Sequence, residues 1–417
     1  MADALAGEPG ALHARGGDEN SMVLKTKLNS GSAWLGACYL AISAMMLSTV
    51  GGWHADAQAA TAQSAPAQSA PDFPAKDWQM VSPESEGYSS KKLEALRAWL
   101  AAGPTTAMVI VVHGHMIFSY GDTAMVSKIA SARKSILSML YGKYQADRTI
   151  DVDKTVEELG LAEPDKPFLP IEKTATLFQL LAGRSGIYLL PGEVPPDKDL
   201  IAASQPRRGS EPPGMYFHYN DWDFNAAGTA FEKLTGKNIY DALESDFARP
   251  IGMQDFDRAL QKKIPHEGQV HQEYAMYLST RDMARLGLLM LRNGNWNGKQ
   301  IIPEAWVEGS TGVWTPFEEM NPPYLRALGA PERWGFGLMW WVWDAHSYPG
   351  DRYFLPFQGA YEARGTAGQY ITVLPAKDMV LVHKVYIDVY PQPAIDQEEW
   401  DTITNMAISA ACSGKCK

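Results

Sequence analysis

The chain has 417 residues, 46% hydrophobic and 20% charged, an ordinary globular composition with enough length for one large core or two small ones. Its 37 Lys and Arg against 48 Asp and Glu give a formal charge of -11, and the lack of a basic balance argues against a nucleic-acid partner. The 13 Trp and 18 Tyr read mainly as core and cleft-rim packing, the two settings in which aromatics concentrate.

In chain order, Lys25 and Lys27 precede a charge-free run of 18 residues, "AWLGACYLAISAMMLSTV" at 33–50. "HADAQAATAQ" follows, with Ala-x-Ala sites at Ala55-Asp56-Ala57 and Ala57-Gln58-Ala59. A basic start, an apolar middle and a small-residue exit describe a secretory signal. The run also reaches the lower edge of a membrane span. Residues 1–59 therefore read as a signal peptide or an N-terminal anchor, and the protein as secreted or periplasmic, with membrane association confined to that end. "LGAC", ending at Cys38, is similar to an acylation box, but the apolar run continues past Cys38, which argues against lipidation. Residues 60–76 contain "AQSAP" twice, at 62–66 and 67–71, and read as a flexible linker. The remainder, 77–417, reads as one domain.

Within it, "SSKKLEALRAWLAA" at 89–102 has helical periodicity. "AMVIVVHGHMIFSYGD" at 107–122 is two apolar runs joined around Gly114, a hairpin signal. "SARKSILSML" at 131–140 begins a core helix. Residues from about 150 to 310 read as mostly helical, broken by Pro-rich loops such as "LLPGEVPPDKD" at 189–199. Strand-like runs return at 334–343, 368–376 and 379–387, and a last helix covers roughly 396–411. Strands at both ends of the chain, with helices between, predict an α+β fold in which terminal segments share one sheet. Cys412 and Cys416 are expected to close a small disulfide loop, since two cysteines make a poor metal site.

The chemistry starts at Ser131 and Lys134. A spacing of three puts both side chains on one helical face. A serine hydroxyl needs a base to become a nucleophile, and a lysine in an apolar setting or beside another cation has its pKa pushed down, which frees its amine to take a proton. The bland alternative is a capping serine beside a snorkelling lysine. The same pattern occurs at Ser89 and Lys92, where capping is a sufficient explanation. Other catalytic patterns fare worse. "GRSGI" at 183–187 fails the Gly-x-Ser-x-Gly elbow at its last place. His113 and His115 flank a turn with no evident acidic partner, so no metal site and no cofactor are expected.

Further pieces of the pattern lie downstream: Tyr219-Asn220-Asp221, Asn225-Ala226-Ala227-Gly228, "YLSTRDMARLGLLMLRNGNWNGKQIIP" at 277–303, and Gly365 to Gln369. With Ser131-Ala132-Arg133-Lys134 these occur in the order of a known family. Over residues 80 to 390 the chain resembles the serine β-lactamase and penicillin-binding-protein superfamily, in its class C-like branch of carboxylesterases, D-aminopeptidases and 6-aminohexanoate-oligomer hydrolases. The resemblance implies a β-lactamase/transpeptidase-like fold: an antiparallel sheet flanked by helices, with a mostly helical insert. It implies Ser131 as nucleophile, with Lys134 and Tyr219 sharing the proton shuttle. It also implies an oxyanion hole from the backbone N–H groups of Ser131 and of Thr366 on the last active-site strand, with Gly365 at that strand's glycine-rich start. Asp221 and His218 are expected beside these.

The chain departs from the family pattern where Ala363-Arg364-Gly365 replaces Lys-Thr-Gly. If Ala363 faces the site, Arg364 points away, and the usual cation for an anionic substrate is missing. Asp221, standing in for Asn, brings a carboxylate to Lys134 and shifts weight onto Tyr219 as the base. The expected function is a secreted serine hydrolase cleaving a small-molecule ester or amide through an acyl-enzyme on Ser131. The alternatives are a β-lactamase or D-Ala-D-Ala carboxypeptidase, or a catalytically lapsed relative that only binds a ligand.

Overall fold

The computed structural model describes residues 73–191, 203–321, 333–344, 352–388, 394–414 and 416. The expected leader, Cys38 and the "AQSAP" repeats lie outside the described residues.

Strands β1 (Ala107–Val112) and β2 (His115–Gly121) form the expected hairpin. His113 (φ 54°) and Gly114 (φ 93°) make the turn, both in the left-handed region that two-residue hairpin loops require. The "WGFGLMWWVW" run splits into β3 (Trp334–Phe336) and β4 (Trp341–Trp343). β5 (Tyr361–Gly365), β6 (Gln369–Leu374) and β7 (Met379–Lys384) complete an antiparallel sheet in the order β2-β1-β7-β6-β5-β4-β3. Ala107 pairs with Lys384 and Val112 with Met379, so the first and last strands do meet in one sheet.

Five helices frame it: α1 (Ser90–Ala102), α2 (Ala132–Ala146), α3 (Asp221–Thr235), α4 (Thr280–Leu291) and α5 (Gln397–Ser409). A Cβ on Gly287 of α4 would lie 2.9 Å from Ile371 and 2.5 Å from Val380. The Trp400 indole of α5 donates to Thr372 (3.0 Å) and Glu362 (3.1 Å). Ile371 and Thr372 are neighbours on β6, so their side chains face opposite ways, and α4 and α5 cover opposite faces. α2 packs on β5 and β6 beside α4, and α1 packs against α5. Among the described residues, no helix is long and apolar enough to cross a membrane.

Three expectations are corrected by this packing. Phe73, inside the expected linker, stacks 5.1 Å from Trp296, and Arg285 donates to the carbonyls of Ala75 and Lys76 (2.9 Å each), so the packed body starts before residue 77. The central region also carries short strand pairs, Lys262–Ile264 with Glu273–Ala275 and Asn295–Trp296 with Lys299–Gln300. Gly365 ends a strand instead of starting one. Positive φ at Ala367 (67°) and Gly368 (104°) turns the chain back, leaving Thr366 in the β5–β6 turn. Cys412 and Cys416 are disulfide-bonded, as expected.

Candidate active site

Two helix N-termini meet at this site. Ser131 stands immediately before α2, following Ala130, whose φ of 48° is costly for a residue with a Cβ. A capping serine takes extended backbone angles and accepts a bond from the helix. Ser131 does neither: its angles are helical (φ -68°, ψ -12°) and its side chain makes no capping bond. Its hydroxyl instead accepts from Lys134 Nζ at 2.9 Å. The other Ser-x-x-Lys pair is the control. Ser89 caps α1 by accepting from the Lys92 amide, and Lys92 Nζ reaches across to the Ser409 and Ala411 carbonyls. The same spacing yields a cap in one place and a hydroxyl–amine contact in the other.

Tyr219 comes from the entry to α3. Asn220 caps that helix, accepting from the Trp222 amide (3.2 Å) while its side-chain amide donates to the Ile187 carbonyl (3.0 Å). This fixes the residues on either side of it. Lys134 Nζ donates to Tyr219 Oη at 2.8 Å and also pairs with the Asp221 carboxylate. The Tyr219 ring packs on Phe224 (5.2 Å), Trp341 (5.8 Å) and Phe336 (6.0 Å). Lys134 is 2% exposed. Burial pushes its pKa down, but Asp221 and Tyr219 pull harder, and the net displacement is upward from 10.5. Burial pushes Asp221 up, Lys134 and Arg133 pull it down, and it ends below 3.8. The pair is therefore ionised at neutral pH. A raised lysine contributes stability that is complete below its ordinary value and lost as pH rises through the folded value. A depressed aspartate contributes stability present above its ordinary value and lost as pH falls through the folded one. Between 3.8 and 10.5 the pair adds no pH dependence of its own.

Asp221→Asn removes the carboxylate that keeps Lys134 charged, and burial then dominates. The alkaline limb of the kcat/KM–pH profile for a p-nitrophenyl ester is expected to move to lower pH. A profile with an unmoved limb would show that Asp221 does not set the protonation of Lys134.

The third side is the end of β5. A Cβ on Gly365 would lie 2.3 Å from the Ile129 carbonyl and 3.2 Å from the Ala132 nitrogen. Only glycine permits this approach, which brings the start of the β5–β6 turn against the Ser131 segment. Among the described residues, the backbone N–H groups of Ser131 and Thr366 meet no acceptor. Ala363 is buried, and Arg364 is committed elsewhere. Its Nε donates to Glu362 (2.6 Å), and its guanidinium lies over Trp341 (4.5 Å) and Trp334 (4.7 Å).

Further out, Arg133 donates to Asn225 (3.2 Å) and lies over the Tyr274 ring (4.4 Å). Gly228 packs so tightly on Tyr274 that a Cβ would come within 2.6 Å. The Asn-Ala-Ala-Gly segment therefore anchors α3 to its neighbours. His218 is less involved than expected. Its backbone N–H donates to Gly183 (2.9 Å), but its ring sits edge-on to Tyr188 (5.9 Å), and burial drops its pKa to about 4. Sequence reasoning missed the Ser185–Asp223 hydrogen bond (2.8 Å) under this loop, where burial keeps Asp223 well above the usual carboxylate range. It also missed Glu86, whose two oxygens meet Nδ1 of His113 (2.7 Å) and of His115 (3.1 Å), giving those histidines the acidic partner they were expected to lack. No group of three or more metal-ligating side chains occurs among the described residues. A cleft of about 680 Å³ lined by Phe178, Arg184, Trp314 and Glu319 does not include Ser131, Lys134 or Tyr219.

A family model described as Beta-lactamase matches residues 95–387, most of the chain and all three sides of this site. The chain belongs to the beta-lactamase family. Members of that family are serine hydrolases. A Bacillus anthracis protein described as a putative 6-aminohexanoate-dimer hydrolase has a similar structure (TM-score 0.57), with 23% identity over 81% of this chain and 87% of that one. A penicillin-binding-protein homologue from Caulobacter crescentus has a TM-score of 0.56 and 15% identity over 80% and 99%. EstCE1, titled a hydrolase with promiscuous acyltransferase activity, has a TM-score of 0.51 and 16% identity over 79% and 99%. At these identities the likeness shows the beta-lactamase/transpeptidase fold. An uncharacterized protein from Alkalihalophilus pseudofirmus is 30% identical over 112 residues, spanning 26% of this chain and 29% of that protein.

Proposed function

We propose that the protein is a secreted serine hydrolase that cleaves small neutral esters or amides through an acyl-enzyme on Ser131. The observation carrying this reading is the buried ammonium of Lys134, 2.9 Å from the Ser131 hydroxyl and 2.8 Å from the Tyr219 hydroxyl. With Lys134 held charged by Asp221, Tyr219 is the group left to accept the proton. In the first step Tyr219 reacts as the phenolate, paired with the Lys134 ammonium, and its oxygen takes the Ser131 Oγ–H proton as Oγ bonds to the substrate carbonyl carbon. Lys134 donates to whichever oxygen carries negative charge during the transfer. The carbonyl oxygen becomes an oxyanion between the N–H groups of Ser131 and Thr366. Its collapse breaks the bond to the leaving alcohol or amine, which takes the proton from Tyr219. Water then attacks the acyl-enzyme, giving its proton to the same oxygen, and Ser131 recovers it as the acid leaves.

The preference for neutral substrates follows from Ala363 and Arg364. A charge-assisted hydrogen bond to a substrate carboxylate contributes about 1.5–3 kcal/mol, or roughly 10- to 150-fold in affinity. Arg364 is engaged with Glu362 and two tryptophans instead. Comparing kcat/KM for p-nitrophenyl acetate or butyrate with that for nitrocefin tests the point. The esters are expected to be the better substrates. Faster nitrocefin hydrolysis would return the protein to the β-lactamase reading. The leader features around Lys25, Lys27 and Ala55–Ala59 support export. N-terminal sequencing of the mature protein from culture or periplasm tests it, and an intact residue 1 in the cytoplasmic fraction would contradict it.

A further inference from the structure

The β5–β6 turn holds Thr366, yet little in the turn itself fixes it. Thr366 is exposed, and Ala367 and Gly368 sit at positive φ. The carbonyls of the turn are tied from below. The Ile395 amide reaches the Ala367 carbonyl (3.5 Å). His383, fully buried on β7, places Nδ1 2.7 Å from the Gly368 carbonyl oxygen and Nε2 2.9 Å from Thr105 Oγ1. A carbonyl oxygen only accepts, so Nδ1 carries the proton. Burial lowers the pKa of His383 to about 4, against the Gly368 carbonyl, which favours the charged ring. The ring is thus neutral at pH 7, and Nε2 accepts from the Thr105 hydroxyl. Trp400 sits 5.3 Å from the imidazole and stacks flat on Tyr370 at 4.8 Å. A Cβ on Gly368 would meet Ile395 at 3.0 Å, Val385 at 3.1 Å and the His383 ring at 3.3 Å. The turn therefore rests on a side chain held in one tautomer and one orientation.

We propose that His383 is a positioning residue for the oxyanion-binding turn: its Nδ1–H, bonded to the Gly368 carbonyl, holds the Thr366 N–H at the distance from Ser131 that the transition state requires. This rests on the reading of Ser131 as nucleophile and Thr366 as an oxyanion donor. The physical reason is the steep distance dependence of such stabilisation. Loss of an oxyanion donor costs about 10²–10³ in kcat, and a misplacement of about 1 Å costs on the order of 10²-fold.

The test uses p-nitrophenyl butyrate turnover on three variants of the full-length protein, with fluorophosphonate labelling of Ser131 as a check. His383→Leu fills the space but cannot donate, and kcat is expected to fall roughly 10- to 100-fold with KM within about twofold. His383→Asn puts an amide N–H near the Nδ1 position and is expected to recover most of that loss. Thr105→Val removes the hydroxyl that holds the Nε2 side of the ring and is expected to lower kcat by a smaller factor. A folded His383→Leu with wild-type kcat overturns the proposal, as does an Asn variant no better than Leu. Should His383→Leu fail to fold, an unchanged kcat in Thr105→Val overturns it. A wild-type protein that labels and turns over normally while these variants do the same sinks this inference alone. A wild-type protein that is not labelled at Ser131 sinks the underlying reading with it.

Discussion

Ser131→Ala is expected to leave a folded protein with ester turnover reduced on the order of 10⁶-fold, the scale reached when a serine nucleophile is removed. The fold should survive because Ser131 does not cap α2, so the usual loss of about 1 kcal/mol for deleting a cap does not apply. Lys134 keeps its partners Asp221 and Tyr219. Melting temperature should stay within about 4 °C of wild type, the shift that about 1 kcal/mol produces in a domain of this size. Ser89→Ala should behave in the opposite way. It removes a real cap, lowers stability slightly and leaves turnover intact. Circular dichroism melts and p-nitrophenyl butyrate assays on both variants check the pair. Residual turnover above about 1% in Ser131→Ala would mean that another group is the nucleophile.

Tyr219→Phe is the second large effect. The ring contacts with Phe224, Phe336 and Trp341 all survive, and only the hydroxyl that accepts from Lys134 is lost. The cost in stability is about 1 kcal/mol. The cost in kcat is about 10²–10⁴-fold, the range for a general acid–base group. Melting and turnover should be measured on one preparation. An unchanged melting temperature with kcat down less than about tenfold would place Tyr219 among the packing residues and return the base to Lys134.

The parts of this structure legible in the sequence are those set by local pattern. The β1–β2 hairpin follows from two apolar runs around His113-Gly114, and the start of α2 from its apolar periodicity. The pairing of β1 with β7 was legible only as a rule about terminal strands. β5 was harder, because Glu362 and Arg364 give it a charged face, which ordinarily reads as solvent-exposed. They are buried all the same, satisfied by Thr372 and Trp400 and by the Trp334 and Trp341 rings. A strand whose polar residues find partners on distant elements has no signature in its own five residues.

The site divides along the same line. Ser131 and Lys134 lie one helical turn apart, so their contact is written into the spacing. Tyr219 and Asp221 were found by resemblance and placed by the structure, since nothing local says that the start of α3 faces the start of α2. His383 acts through Gly368, 15 residues away, and Thr105, 278 away, and Glu86 acts through His113, 27 away. A histidine inside "MVLVHKVYI" was the one available hint of the former, because a buried imidazole in an apolar strand must find hydrogen bonds. The glycines around Thr366 resemble the start of a strand, which would place Thr366 in one. Positive φ at two successive residues made it a turn instead.

The central claim is that Ser131 is an activated nucleophile, and covalent labelling tests it without knowledge of the substrate. The protein is incubated with a fluorophosphonate probe at neutral pH, digested, and the modified peptide mapped by mass spectrometry. The account predicts stoichiometric modification on the peptide carrying Ser131, absent in Ser131→Ala and strongly slowed in Tyr219→Phe. No modification of the wild-type protein, or modification that persists in Ser131→Ala, would contradict it.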